Sequence, residues 1–143
     1  MKRMFALMVA LCALTVLPLA AQGPQNQEEQ ERQMYEAIDK EIDRQTTILD
    51  LADWQIFRID STLTHDYKAM TEELVALQAS KVSNTAAYMA VQDKWMEAIY
   101  QSYRNILNEA QWAKYLKGGA SKAKKARDKR AEKALANEQK KQQ

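Results

Sequence analysis

The stretches Leu51-Ala52-Asp53-Trp54-Gln55 and Leu107-Asn108-Glu109-Ala110-Gln111 decide how this chain of 143 residues folds. Both read Leu-x-x-x-Gln, and each lies between two amphipathic segments. We therefore expect one helix to end before each stretch and another to begin within it.

The second stretch contains every part of a helix start. Asn108 is a favoured N-cap residue, and Gln111 lies three positions later, where its side chain can reach back to the backbone N–H of the cap. Leu107 before the cap and Trp112 at the fourth helical position form a hydrophobic staple. These residues fix where the helix starts and the direction from which the chain enters it.

The first stretch keeps this layout with one exception. Gln55 lies at the third helical position, and Ile56 completes the staple with the leucine that opens the stretch. The cap position is Ala52, which has no side-chain acceptor. Either Asp50 or Asp53 replaces it, or the cap is weaker by about 1 kcal/mol.

Apolar residues at steps of three and four predict helices along the rest of the chain. We expect a first helix over 27–49, a second from 53 to about 81, a third after a turn and cap at 82–85, and a short fourth that ends at Gly118-Gly119. No strand-like alternation occurs. The predicted fold is all-α, a small bundle of four helices that contains a long helical hairpin.

The N-terminus has the pattern of a secretory signal peptide. Lys2 and Arg3 precede an apolar run over 4–17, and a small-residue exit follows, so we expect cleavage after residue 21 and export to the periplasm. Cys12, the only cysteine, would leave with this segment. The mature protein would then depend on helix packing without a disulfide.

Charge divides the mature chain into a helical domain, 22–117, and an Ala/Lys-rich tail, 118–143. Residues 22–113 hold 16 acids and 8 bases, whereas 114–143 hold 3 acids and 11 bases. The tail is expected to be helical or disordered, because it has helix propensity but few apolar residues to bury. It could remain solvated, fold back onto the acidic domain, or bind an anionic membrane surface. The residues proposed for membrane contact are Lys122, Lys124, Lys125, Arg127, Lys129 and Arg130.

The sequence does not indicate a catalytic or metal-binding site. His65, the only histidine, has no metal-binding residue among its same-face helical neighbours, and the sequence lacks a nucleophile elbow or phosphate loop. We therefore predict no enzyme activity, no cofactor and no metal, and export argues against nucleic acid as a partner. Trp54, Trp95 and Tyr103 lie at helical spacing, and they could either pack in the core or line an apolar groove.

Taken together, the two stretches resemble the paired LTxxQ motifs of the Spy/CpxP family of periplasmic stress proteins. The resemblance covers about residues 48–115. The family's threonine position holds Ala52 in the first motif and Asn108 in the second. The residues that match the motif are Leu51, Gln55, Leu107 and Gln111.

The resemblance implies an ATP-independent chaperone or envelope-stress modulator that binds partly unfolded proteins through a helix-lined groove. It also implies a cradle-shaped homodimer, and the thin core expected of four short helices favours a dimer independently. The alternative is a structural envelope adaptor, whose acidic bundle binds one partner while the basic tail docks on the membrane.

Overall fold

The fold is all-α, as predicted, in a computed structural model that describes residues 24–141 of the chain. The predicted signal peptide, including Cys12, lies outside the described residues. Helices α1 (Pro24–Leu49), α2 (Asp53–Ala79), α3 (Thr85–Ile106) and α4 (Glu109–Tyr115) follow one another, and a π-helical turn, Leu116–Ala120, leads into α5 (Ser121–Lys141).

Helix α1 starts three residues earlier than expected, in a segment rich in glutamine and glutamate. Side chains one turn apart support this exposed portion, because Glu29 accepts hydrogen bonds from Arg32 at 2.5 Å and from Gln33 at 2.9 Å. An ion pair of 3.8 Å between Glu31 and Lys68 links it to α2.

Helices α2 and α3 form the predicted long hairpin, and α1 packs against α2. The turn between α2 and α3 contains Lys81 with a φ of 55°. Asn84 caps α3 by accepting a hydrogen bond of 2.9 Å from the backbone N–H of Ala86, so the predicted turn and cap at 82–85 are confirmed.

The core extends along the first three helices and includes the leucines of the two Leu-x-x-x-Gln stretches. Each fully buried aliphatic side chain stabilises such a core by about 1.5–3 kcal/mol. Leu51 and Leu107 are both buried in it, and Ile56 and Trp112 pack against it from the positions expected of the staples. The buried residues of the helices are Ile38, Ile42 and Leu49 of α1, Ile59, Leu63, Tyr67, Met70 and Leu74 of α2, and Ile99, Tyr103 and Ile106 of α3.

The chain bends between α4 and α5. Gly119 has a φ of 122°, a conformation that residues with a Cβ rarely adopt. The neighbouring Gly118 keeps helical backbone angles. The tail beyond this bend, for which helix and disorder were both left open, is the helix α5. Among the described helices, none combines the length and apolar character needed to cross a bilayer.

Candidate functional site

The two Leu-x-x-x-Gln stretches meet in space through the side-chain amides of their glutamines. Gln55 Nε2 donates to Gln111 Oε1 at 2.7 Å, and Gln111 Nε2 donates to Gln55 Oε1 at 2.9 Å. The two residues are only 4% and 7% exposed, so this reciprocal amide pair is buried. Residues far apart in the sequence thus form one structural unit.

Each amide also bonds to the backbone of the opposite stretch. Gln55 Nε2 donates to the carbonyl oxygen of Ile106 at 3.0 Å, and Gln111 Nε2 donates to that of Asp50 at 3.1 Å. Ile106 and Asp50 are the residues immediately before the two motif leucines. The two corners are therefore equivalent in their bonding as well as in their sequence.

Each amide oxygen completes the pattern by accepting from its own helix start. Gln55 Oε1 accepts from the backbone N–H of Ala52 at 3.0 Å, and Gln111 Oε1 accepts from that of Asn108 at 3.0 Å. Both oxygens therefore accept two hydrogen bonds, and both Nε2 groups donate two. A glutamine amide offers no further conventional capacity, so the pair is fully satisfied.

The two helix starts differ only at the cap residue. Asn108 Oδ1 accepts from the backbone N–H of Gln111 at 2.9 Å and completes the predicted capping box. Ala52 has no acceptor and its position carries no side-chain cap bond, so neither Asp50 nor Asp53 replaces the missing oxygen there. The first helix start therefore lacks a side-chain cap, and the cost of about 1 kcal/mol stays a prediction.

An open depression of about 490 Å³ lies over the amide pair between the two corners. Its floor contains Gln55 and Gln111, and its lining includes Trp54, Asp50 and Asn108. Comparisons with family models, curated proteins and solved structures find no match. Function must therefore be argued from this geometry.

The three singled-out aromatic residues lie in three different environments. Tyr103 is in the core and stacks on Tyr115 with ring centroids 4.8 Å apart, and burial raises the pKa of its phenol. Trp95 is partly buried against the core, and its indole N–H has no hydrogen-bond partner in the described part of the chain. Trp54, in contrast, is 59% exposed.

The basic tail contacts the acidic domain through one face of α5. Arg130 makes two hydrogen bonds of 2.6 Å to the carboxylate of Asp93 on α3. Arg127, itself buried, donates to Glu97 at 3.1 Å, and Lys124 lies 3.6 Å from the same carboxylate. The tail therefore folds back onto the acidic domain, which is one of the alternatives that the sequence left open.

These contacts change the proton affinity of Glu97. Partial burial favours the protonated carboxyl, but hydrogen bonds from Gln101 and Arg127, together with the charges of Lys124 and Arg127, outweigh it. The pKa of Glu97 is therefore below its ordinary value of 4.5. The carboxylate is held in its charged form where α5 docks.

Three of the basic residues proposed for membrane contact, Lys124, Arg127 and Arg130, thus form ion pairs with carboxylates. Lys125 and Lys129 are exposed on α5, and Lys133 and Lys140 continue the exposed basic surface toward its end. Of these exposed lysines, only Lys125 and Lys129 were among the residues predicted from the sequence.

His65 is exposed, with its Nδ1 2.8 Å from the carboxylate of Asp66 and its ring edge-on to Trp95. Within the described residues, no group of three or more histidine, cysteine or acidic side chains is placed to hold a metal ion.

Proposed function

We propose that the protein is an exported, ATP-independent chaperone or envelope-stress modulator of the Spy/CpxP kind, acting as a homodimer on partly unfolded proteins. The reciprocal Gln55–Gln111 amide pair carries this proposal. If the two stretches only started helices, their glutamines would have no need to contact each other. A pair that bonds across both corners gives a physical reason for both motifs to occur together in one chain.

The proposed action is reversible capture of apolar segments on the surface of the helical domain. Such capture needs exposed apolar area on a support that does not itself rearrange. The amide pair supplies the rigid support, because it connects the start of α2 with the connection between α3 and α4. The exposed Trp54 at the same corner supplies apolar surface.

The test is suppression of aggregation by the purified mature protein, residues 22–143, without nucleotide. Several chemically unfolded client proteins are diluted into buffer with an equimolar amount of it, and light scattering is followed with time. We expect slower and smaller aggregation for most clients. Failure with all of them would refute the proposal, and a stable monomer in multi-angle light scattering would refute the homodimer.

A second candidate function, the membrane-docking adaptor, is supported by the outward lysines of α5. Lys125, Lys129 and Lys133 follow one another at steps of four residues, so they project from nearly the same side of the helix. We expect salt-sensitive binding to vesicles that contain anionic lipid, because each lysine near such a surface adds about 1 kcal/mol. Deletion of residues 118–143 should abolish it. Unchanged binding after deletion would exclude this function.

A further inference from the structure

Two large aromatic side chains stand exposed at the start of α2. Trp54 is 59% exposed and Phe57 is 71% exposed, the highest value among the large exposed hydrophobic residues of the described chain. They are three positions apart on a helix, so their side chains are neighbours on its surface. Neither side chain contributes to the core, and folding of the helical domain therefore gives no reason for two aromatic residues here.

Carboxylates surround this aromatic surface. Asp53 lies four residues before Phe57 and Asp60 three residues after it, and Asp50 lines the same depression as Trp54. All three aspartates are exposed. Arg58, four residues after Trp54, is the one basic residue of 50–60, so this stretch has three acids, one base and a net charge of −2.

The other two tryptophans of the protein each have a cation above the ring. Lys94 Nζ lies 4.8 Å from the ring centroid of Trp95, and the guanidinium carbon of Arg104 lies 5.3 Å from that of Trp112. Tryptophan is the strongest of the side chains that attract cations in this way. Trp54 has no such cation among the described residues.

The depression next to Trp54 restricts what can bind there. Its floor is the amide pair, whose donors and acceptors are already used within the protein. Polar interactions with a ligand must therefore come from other residues of the lining, which include the acidic Asp50 and the exposed indole-bearing Trp54. Both groups attract a cationic side chain, whereas a carboxylate on the ligand would be repelled by Asp50.

We propose that Trp54, Phe57 and the surrounding aspartates form a binding surface for unfolded segments in which lysine or arginine stands next to an apolar residue. The cationic group lies between Asp50 and the ring of Trp54, and the apolar neighbour packs on Phe57. This inference rests on the proposed chaperone function and names the class of segment that it selects. The acidic rim excludes acidic apolar segments of equal hydrophobicity.

The test compares two labelled peptides with the mature protein by fluorescence anisotropy. One is a short Gly/Ser peptide with alternating phenylalanine and lysine, and the other has glutamate in place of lysine. We expect the lysine peptide to bind more tightly. Trp54→Ala should weaken its binding by roughly two- to thirty-fold, the range that cation–π attraction supplies. Val75→Ser removes another exposed apolar side chain, on α2 away from this surface, and serves as the matched control.

Charge reversal gives the decisive result. The double variant Asp53→Lys with Asp60→Lys should lose the preference for the lysine peptide, because residues 50–60 then carry a net positive charge although Asp50 remains. Its circular dichroism spectrum, compared with that of the unmodified protein, shows whether α2 is intact. Equal affinity for the two peptides in the unmodified protein would overturn the inference. So would loss of dimerisation in Trp54→Ala without a change in peptide affinity, because a second copy would then occupy the surface.

These outcomes are separable from failure of the proposed function. If aggregation is suppressed equally well by Trp54→Ala and by the unmodified protein, the chaperone proposal stands and this surface is not its binding site. If the unmodified protein suppresses no aggregation but binds the lysine peptide through Trp54, the surface is a peptide-binding site and the chaperone proposal falls.

Discussion

The buried amide pair should contribute strongly to stability, and its two members should be energetically coupled. Gln111→Met keeps the length and volume of the side chain but removes its donors and its oxygen acceptor. The change leaves Gln55 with one unmet donor and one unmet acceptor in a buried site, and the backbone N–H of Asn108 and the carbonyl of Asp50 each lose a bond. The unmet buried donor of Gln55 alone costs about 1–3 kcal/mol and the lost cap about 1 kcal/mol, so we expect a loss of at least about 2–4 kcal/mol.

A double-mutant cycle separates the pair from its surroundings. Gln55→Met should cost a similar amount, whereas the double variant should cost less than the two single losses combined by about 1–2 kcal/mol, because each single change leaves the other amide unmet. Urea unfolding followed by circular dichroism at constant m-value measures these free energies. Gln33→Met, at an exposed glutamine of α1, is the control and should change stability by under about 0.5 kcal/mol. If the losses of the two single variants add up to that of the double variant, the two glutamines are not coupled. If each single variant loses as little stability as the control, the pair does not stabilise the fold.

Three further changes test the rest of the structure. Ala52→Thr should raise the free energy of unfolding by about 1 kcal/mol, because it supplies a cap oxygen, and Asn108→Ala should lower it by about as much, because it removes one. Thermal melts in which both variants shift stability in the same direction would contradict this. Gly119→Ala should cost about 1–2 kcal/mol because of its left-handed backbone, whereas Gly118→Ala, whose Cβ would meet nothing within 4 Å, should be tolerated, as urea unfolding of both variants would show. Because the pKa of Glu97 is lower in the folded protein, its contribution is complete above pH 4.5 and is lost as the pH falls below that value, so Glu97→Gln should flatten the pH dependence of stability in this range.

Local sequence predicted the boundaries of α2 and α3 but not the beginning of α1 or the state of the tail. The spacing of apolar residues predicted α2 and α3 to within about two residues at their ends, a usual margin for helix boundaries. The beginning of α1 was underestimated, because its support comes from pairs of charged and amide side chains that apolar periodicity does not register. The tail was left between helix and disorder, since its docking depends on carboxylates of α3 that are distant in sequence.

The proposed binding surface was only partly predictable. Trp54 was identified, but its exposure was not, because a tryptophan at helical spacing is usually packed in a core. Phe57 was missed altogether. The signal that could have found it is its position on the side of α2 opposite Ile59 and Leu63, between two aspartates that cannot be buried without partners.

By itself, the sequence determined where the helices begin and end around its two Leu-x-x-x-Gln stretches. Capping and stapling act over only a few residues, so the residue types at these positions suffice to specify them. Only the tertiary structure decided that the two glutamines bond to each other. A capping box uses one acceptor of the amide and leaves its two donors open, and the partners of those donors are set by how α1, α2 and α3 pack, which no local pattern contains.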